Sequence, residues 1–188
     1  MLRPSGWTEN SFIPGLISAH SHLGLCQGAA GPQPDHYNRQ NVQHQLEQYE
    51  RYGVTSVLSL GCNADVLYTW KEPKNKAAAA MGQRNLRTIF EAGVTVAMGT
   101  DSSALPTRIP GFAEHRELQL MVQAGLSPMQ ALVCATKNSA RAIGVDDRGT
   151  LEPGKQADFV VLNADPQTDI AHTTQIAFVV HRGNIVKR

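Results

Sequence analysis

Residues 39–60 read RQNVQHQLEQYERYGVTSVLSL, and they decide the fold. Val42, Leu46 and Tyr49 recur at helical spacing, Gly53 supplies a stop, and VTSVLSL is a β-branched run of the kind found in buried strands. The same phrase returns at residues 76–102. An Ala-rich helix with apolar Leu86, Ile89 and Phe90 ends at Gly93, and VTVAMGTDS reads as the next strand. Two helix-Gly-Val-Thr-strand units imply parallel strands joined through helices, because a helical crossover brings the chain back to the same end of a sheet. The architecture predicted is α/β.

Working outward, AEHRELQLMVQAG (113–125) and SPMQALVCATKNSARAIG (127–144) are two further helices. The second opens with Ser127 as N-cap, Pro128 at the first helical position and Gln130 completing a capping box, and Gly144 closes it. The tail changes character. LEPGKQADFVVLNADP is a turn and a strand, and IAFVVHRGNIVKR reads as a hairpin around Gly183 and Asn184, which together suggest a separate small β layer. Residues 61–76 show no period and contain a proline, so they read as a connection.

Composition bounds the function. The chain has 188 residues, 41% of them hydrophobic, which suits one domain of ordinary size. A net charge of +1 provides no basic surface, which argues against nucleic acid as a partner. No apolar run approaches the roughly 20 residues of a membrane span, and MLRPSGWTEN lacks the apolar core of a signal peptide, so the cytoplasm is the expected location. Cys26, Cys62 and Cys134 form neither an even set nor a CxxC pair, and they read as buried, reduced thiols.

Upstream of all this, SFIPGLISAHSHLGL (11–25) runs from a Pro-Gly turn into a strand that ends on two histidines. Alternation along a strand places His20 and His22 on one side and Ser21 on the other, and two imidazoles so placed can share a metal ion. Asp101 stands just past the end of VTVAMGT, where parallel strands would bring its carboxylate to the same rim. Each has a blander reading: a surface or core histidine for the pair, an Asx turn or helix cap for the aspartate. His115 and Glu117 lie two apart on a helix, do not form an HExxH pair, and leave His115 to cap a helix or to orient a ligand through a hydrogen bond. Arg108, before a Pro-Gly loop, is a candidate to grip a substrate carboxylate.

Taken together, FIPGLISAHSHLG, GVTVAMGTDSS, HRELQLMVQAGLSPMQALVCATKNSARAIGV and GTLEPGKQADFVVLNADP resemble the amidohydrolase superfamily, in the branch related to imidazolonepropionase and to metal-dependent Xaa-Pro or arginine carboxypeptidases. The resemblance implies a TIM-type (β/α)8 barrel over residues 12–146 and a small β-sandwich from residues 1–11 and 147–188. It also implies His20, His22 and Asp101 as ligands of Zn²⁺ or a similar divalent ion, one or two per complete site, with Asp101 taking a proton from the attacking water. The implied reaction is hydrolysis of an amide or cyclic amide in a small molecule or short peptide by a homo-oligomeric enzyme, or deamination as elsewhere in the superfamily. A complete barrel needs roughly 250 residues. Between His22 and Asp101 only one clear strand precedes the last helix, so the barrel is expected to be partial, with its middle strands missing near residues 61–76. The bridging lysine and further histidines of relatives have no counterparts, and His36, His44, Lys71, Lys74 and Lys76 are assigned to no metal. A catalytically silent, self-associating fragment of such an enzyme is the competing reading.

Overall fold

The computed structural model describes residues 10–59 and 76–186. The expected gap near 61–76 lies almost wholly outside the described residues, as do Cys62, Lys71 and Lys74. The described residues form two sheets. In one, β1 (Ser11–Pro14), β4 (Phe159–Leu162), β5 (Ile176–His181) and β6 (Asn184–Val186) lie in the order β1-β4-β5-β6, all antiparallel. In the other, β2 (Leu16–Ser21) pairs in parallel with β3 (Val54–Ser59) through α1 (Arg39–Arg51). The four-stranded sheet therefore takes in residues 12–14, which the sequence reading assigns to the barrel.

Several expectations need correcting. Residues 94–102 form no regular strand. They run extended and parallel beside β2, tied by a single Ser21–Ser102 bridge and by bonds such as Ala19 N–H to Met98 O at 2.9 Å. Their far side is occupied by a helix: Met98 N–H donates to Cys134 O, and Asn138 Nδ2 donates to Val96 O. Accordingly the helix at 127–144 is not uniform. It runs as α4 (Pro128–Val133), a π-turn over Cys134–Asn138, and α5 (Ser139–Ala142), and the π-turn lets the Cys134 carbonyl serve both Met98 N–H and Ser139 Oγ. The capping box at its start is present, with Ser127 Oγ accepting from Gln130 N–H and Gln130 Oε1 from Ser127 N–H.

On α1 the buried face is Asn41, Gln45 and Tyr49, while Leu46 is exposed. The two amides turn inward because the loop after β2 has main-chain groups to satisfy: Cys26 O accepts from both, and Gly24 N–H donates to Gln45 Oε1. On α2 (Lys76–Glu91) Ile89 is likewise exposed, whereas Leu86 and Phe90 pack on the core. The final hairpin turns on Arg182 and Gly183, both at positive φ, one residue earlier than expected.

One core joins the sheets. Leu16, Val54, Met98 and, from α3 (Phe112–Gln123), Leu118 share a buried cluster with Leu162, Ile176 and Val179. No closed barrel is present among the described residues, and no helix there is long and apolar enough to cross a membrane. Cys26 and Cys134 are buried free thiols, and burial pushes the Cys26 thiol up to about 11.

Candidate metal centre

The rim is shaped by backbone irregularity before any side chain is considered. The β2–β3 register shifts between Ser18 and Ser21, so that Ser18 and Ser21 meet at 2.8 Å while His20 and His22 reach the opposite side. Asp101 and Ser103 hold left-handed φ values of 55° and 65°, uncommon for residues with a Cβ. Gly99 has none, and one built there would stand 2.8 Å from His20 Cβ, so the close approach of this segment to β2 depends on glycine.

These features bring the three expected residues together. Asp101 Oδ1 lies 2.6 Å from His22 Nε2 and 3.6 Å from His20 Nε2, and the two imidazole rings are 5.3 Å apart. One ligand atom from each residue falls within 4.8 Å of the other two. Two imidazole nitrogens and one carboxylate oxygen are donors of the kind Zn²⁺ takes. His22 Nδ1 is buried with no hydrogen-bond partner among the described residues, as is Ser103 Oγ.

Arg108 lines the cleft beside these residues and donates from Nη1 to Asp101 Oδ2, which fixes the carboxylate. His115 is buried, its Nδ1 paired with Thr173 Oγ1 at 3.0 Å and its Nε2 with Tyr52 O at 2.8 Å. It thereby pins α3 to the turn before β3 and to the Ile170–Thr174 turn. Glu117 faces a cleft of about 610 Å³ with His20, Asp101, Arg108 and Phe112. Burial, and then the charge of Glu114, raise its carboxyl above the ordinary value.

Beneath the rim lies a group that sequence reasoning missed. Glu114 is fully buried, and its Oε1 accepts from Ser18 Oγ at 3.0 Å, Thr100 Oγ1 at 2.6 Å and Ser102 Oγ at 2.9 Å, while Oε2 accepts from Gly111 N–H at 2.8 Å. Tyr49 Oη and Ser21 Oγ each bond to Ser102 Oγ. Burial and the nearby Glu114 hold the Tyr49 hydroxyl well above its usual range. The one available signal was Glu114 three residues past Gly111, a capping spacing that says nothing of the three hydroxyls.

Paired histidines at a strand end, met by a carboxylate from the adjacent segment, form a donor set that could hold a metal ion on an α/β scaffold. Residues 62–186 match the model of the Amidohydrolase family, and the chain belongs to that family. It is 42% identical over 88 residues to an imidazolonepropionase of Deinococcus deserti, covering 46% of this chain and 22% of that protein. It is also 35% identical over 98 residues to a 5-methylthioadenosine/S-adenosylhomocysteine deaminase of Teredinibacter turnerae, covering 48% and 22%. The chain thus spans under a quarter of the length of these two relatives. A solved Xaa-Pro dipeptidase superposes with a TM-score of 0.72 at 12% identity, over 98% of this chain and 90% of that one, a likeness of fold.

Proposed function

We propose that this chain carries part of the active site of a metal-dependent hydrolase that cleaves C–N bonds by water attack on an amide or cyclic amide carbon. The whole enzyme would be a TIM-type barrel. The observation that carries the reading is the convergence of one ring nitrogen each from His20 and His22 and an Asp101 oxygen within 4.8 Å. These three would hold Zn²⁺ or a similar divalent ion, which when bound polarises a carbonyl and acidifies water. The chain's own groups do the rest. Asp101 accepts the proton of the attacking water and returns it to the leaving nitrogen, which is general acid-base work over hydrogen-bond distance. Arg108, on the far oxygen of that carboxylate, keeps it turned toward the histidines. Likeness to both an imidazolonepropionase and a deaminase supports C–N hydrolysis as a class, with ring-carbon deamination the neighbouring reaction.

Metal analysis after dialysis against zinc tests the reading: one ion per chain is expected, lost on changing His20 and His22 to Ala. In an active barrel, Asp101→Asn should lower turnover about 10²- to 10⁴-fold on N-acyl amino acids, dipeptides or cyclic amides. Undiminished turnover would remove Asp101 from the chemistry.

A second reading is favoured by one observation. Among the described residues β3 is paired only on its β2 side, with Leu58 exposed near its end. Such an edge invites pairing with another copy, making a silent, self-associating piece. Sedimentation of the 188-residue chain across a concentration range, with Leu58→Lys as the blocked edge, distinguishes the two. The silent reading requires association that the lysine weakens and no hydrolysis with zinc added.

A further inference from the structure

We propose that Glu114 is the positioning residue of this metal centre: its one carboxylate draws together the segments that carry all three ligands. The inference rests on the metal reading above and names what sets the geometry of that site.

Each ligand is tied to the carboxylate through a nearby hydroxyl, directly for Asp101 and His20 and by way of Ser21 for His22. Thr100 and Ser102 flank Asp101, and both donate to Glu114 Oε1. Ser18, two residues before His20, donates to the same oxygen. Ser21, between the histidines, bonds to Ser18 at 2.8 Å and to Ser102 at 3.1 Å. The proton count assigns the directions. With the Ser18 and Ser102 protons both directed at Glu114, the Tyr49 hydroxyl must donate to Ser102, and the single Ser21 proton is left to serve either Ser18 or Ser102. A helix cap would need only the Gly111 N–H on Oε2, so three hydroxyls on Oε1 serve some other end. That end is visible in the backbone. Asp101 and Ser103 are both left-handed, and such conformations persist only where the surroundings over-determine them. Glu114 supplies the constraint from below, where it touches no substrate.

Gln at 114 keeps the shape but puts an amide against either the three hydroxyls or the Gly111 N–H, so a donor faces a donor in either orientation. Two measurements on the 188-residue chain follow, zinc affinity by chelator competition and amide hydrogen exchange without metal. Glu114→Gln is expected to lose about 10- to 100-fold in zinc affinity. Its metal-free chain should lose protection at the amides of His22, Thr100 and Asp101, which bond across the two segments, ahead of those in β4 and β5. Wild-type zinc affinity in the variant, or an even rise in exchange throughout, overturns the proposal, since a merely structural role gives the even rise. A wild-type chain that binds no zinc defeats the metal reading, and the exchange pattern then decides the role of Glu114 alone. Should Glu114→Gln fail to fold, Thr100→Val removes one of the donors. A smaller loss of affinity with the same local pattern is expected, and an unchanged chain overturns the proposal.

Discussion

The two sheets of this molecule are built on opposite terms. In the four-stranded sheet every neighbour is antiparallel, β4 is buried along Val160, Val161 and Leu162, and its last hairpin closes on a two-residue turn. Beside it, β2 and β3 are parallel with two register shifts, and residues 94–102 are joined to β2 by one bridge and scattered hydrogen bonds. A hairpin carries its own pairing, whereas parallel neighbours must be delivered by crossovers from distant chain. All three candidate ligands lie in the less regular region. The antiparallel pairing, interrupted by one register shift between Val161 and Leu162, supplies the scaffold, while the shifts in β2 and the left-handed Asp101 and Ser103 aim the side chains of the rim.

The comparison can be broken most forcefully through the shared core. Leu162→Ala, in the regular sheet, should cost about 2–5 kcal/mol in urea unfolding. Because Leu162 clusters with Leu16 and Leu118, fluorescence and circular dichroism should report one transition, and two separate transitions would mean the sheets are independent units. Next in size is Gly99→Ala. The added carbon meets His20 Cβ, so a destabilisation of about 1–3 kcal/mol is expected, with weakened zinc binding as the sign that the rim has opened. Unchanged affinity would show that the site tolerates a wider spacing between Gly99 and His20.

Hydrogen exchange sharpens the contrast more gently. β5 is flanked by β4 and β6, so its amides should exchange about tenfold more slowly than those of β3; equal rates would contradict a difference in pairing. The smallest effect concerns Glu117. Its carboxyl is raised in the fold by burial first and Glu114 second, so the folded chain binds that proton more tightly than the unfolded one. Stability from this group is therefore greatest below its unfolded pKa of about 4.3 and falls as pH rises through the folded value. Glu117→Gln should lack that decline, and parallel stability-pH curves for the two proteins would contradict the assignment.

How far the sequence reached varies with the range of the interaction. The first helix-Gly-strand phrase, the helix of the second, the Ser127 capping box and the tail hairpin were legible because periodicity and turn chemistry act within a few residues. HxH at a strand end and Asp101 after the second phrase were legible as a pairing only through the assumption of parallel strands. The exposed Leu46 and the hairpin turn one residue early show where local pattern yields: loop carbonyls at Cys26 drew Asn41 and Gln45 inward, and left-handed backbone at Arg182 and Gly183 set the turn.

By itself, then, the sequence determined the helices, the first parallel unit and the strands of the tail, since each is written in spacing along the chain, and it offered His20, His22 and Asp101 as candidates. Only the tertiary structure decided that the 94–102 segment spends its outer edge on a π-turn, that Arg108 holds Asp101, and that Glu114 gathers four donors beneath the rim. Those choices depend on buried donors and acceptors finding partners. Ser18 and Glu114 are 96 positions apart, a separation that no local pattern encodes.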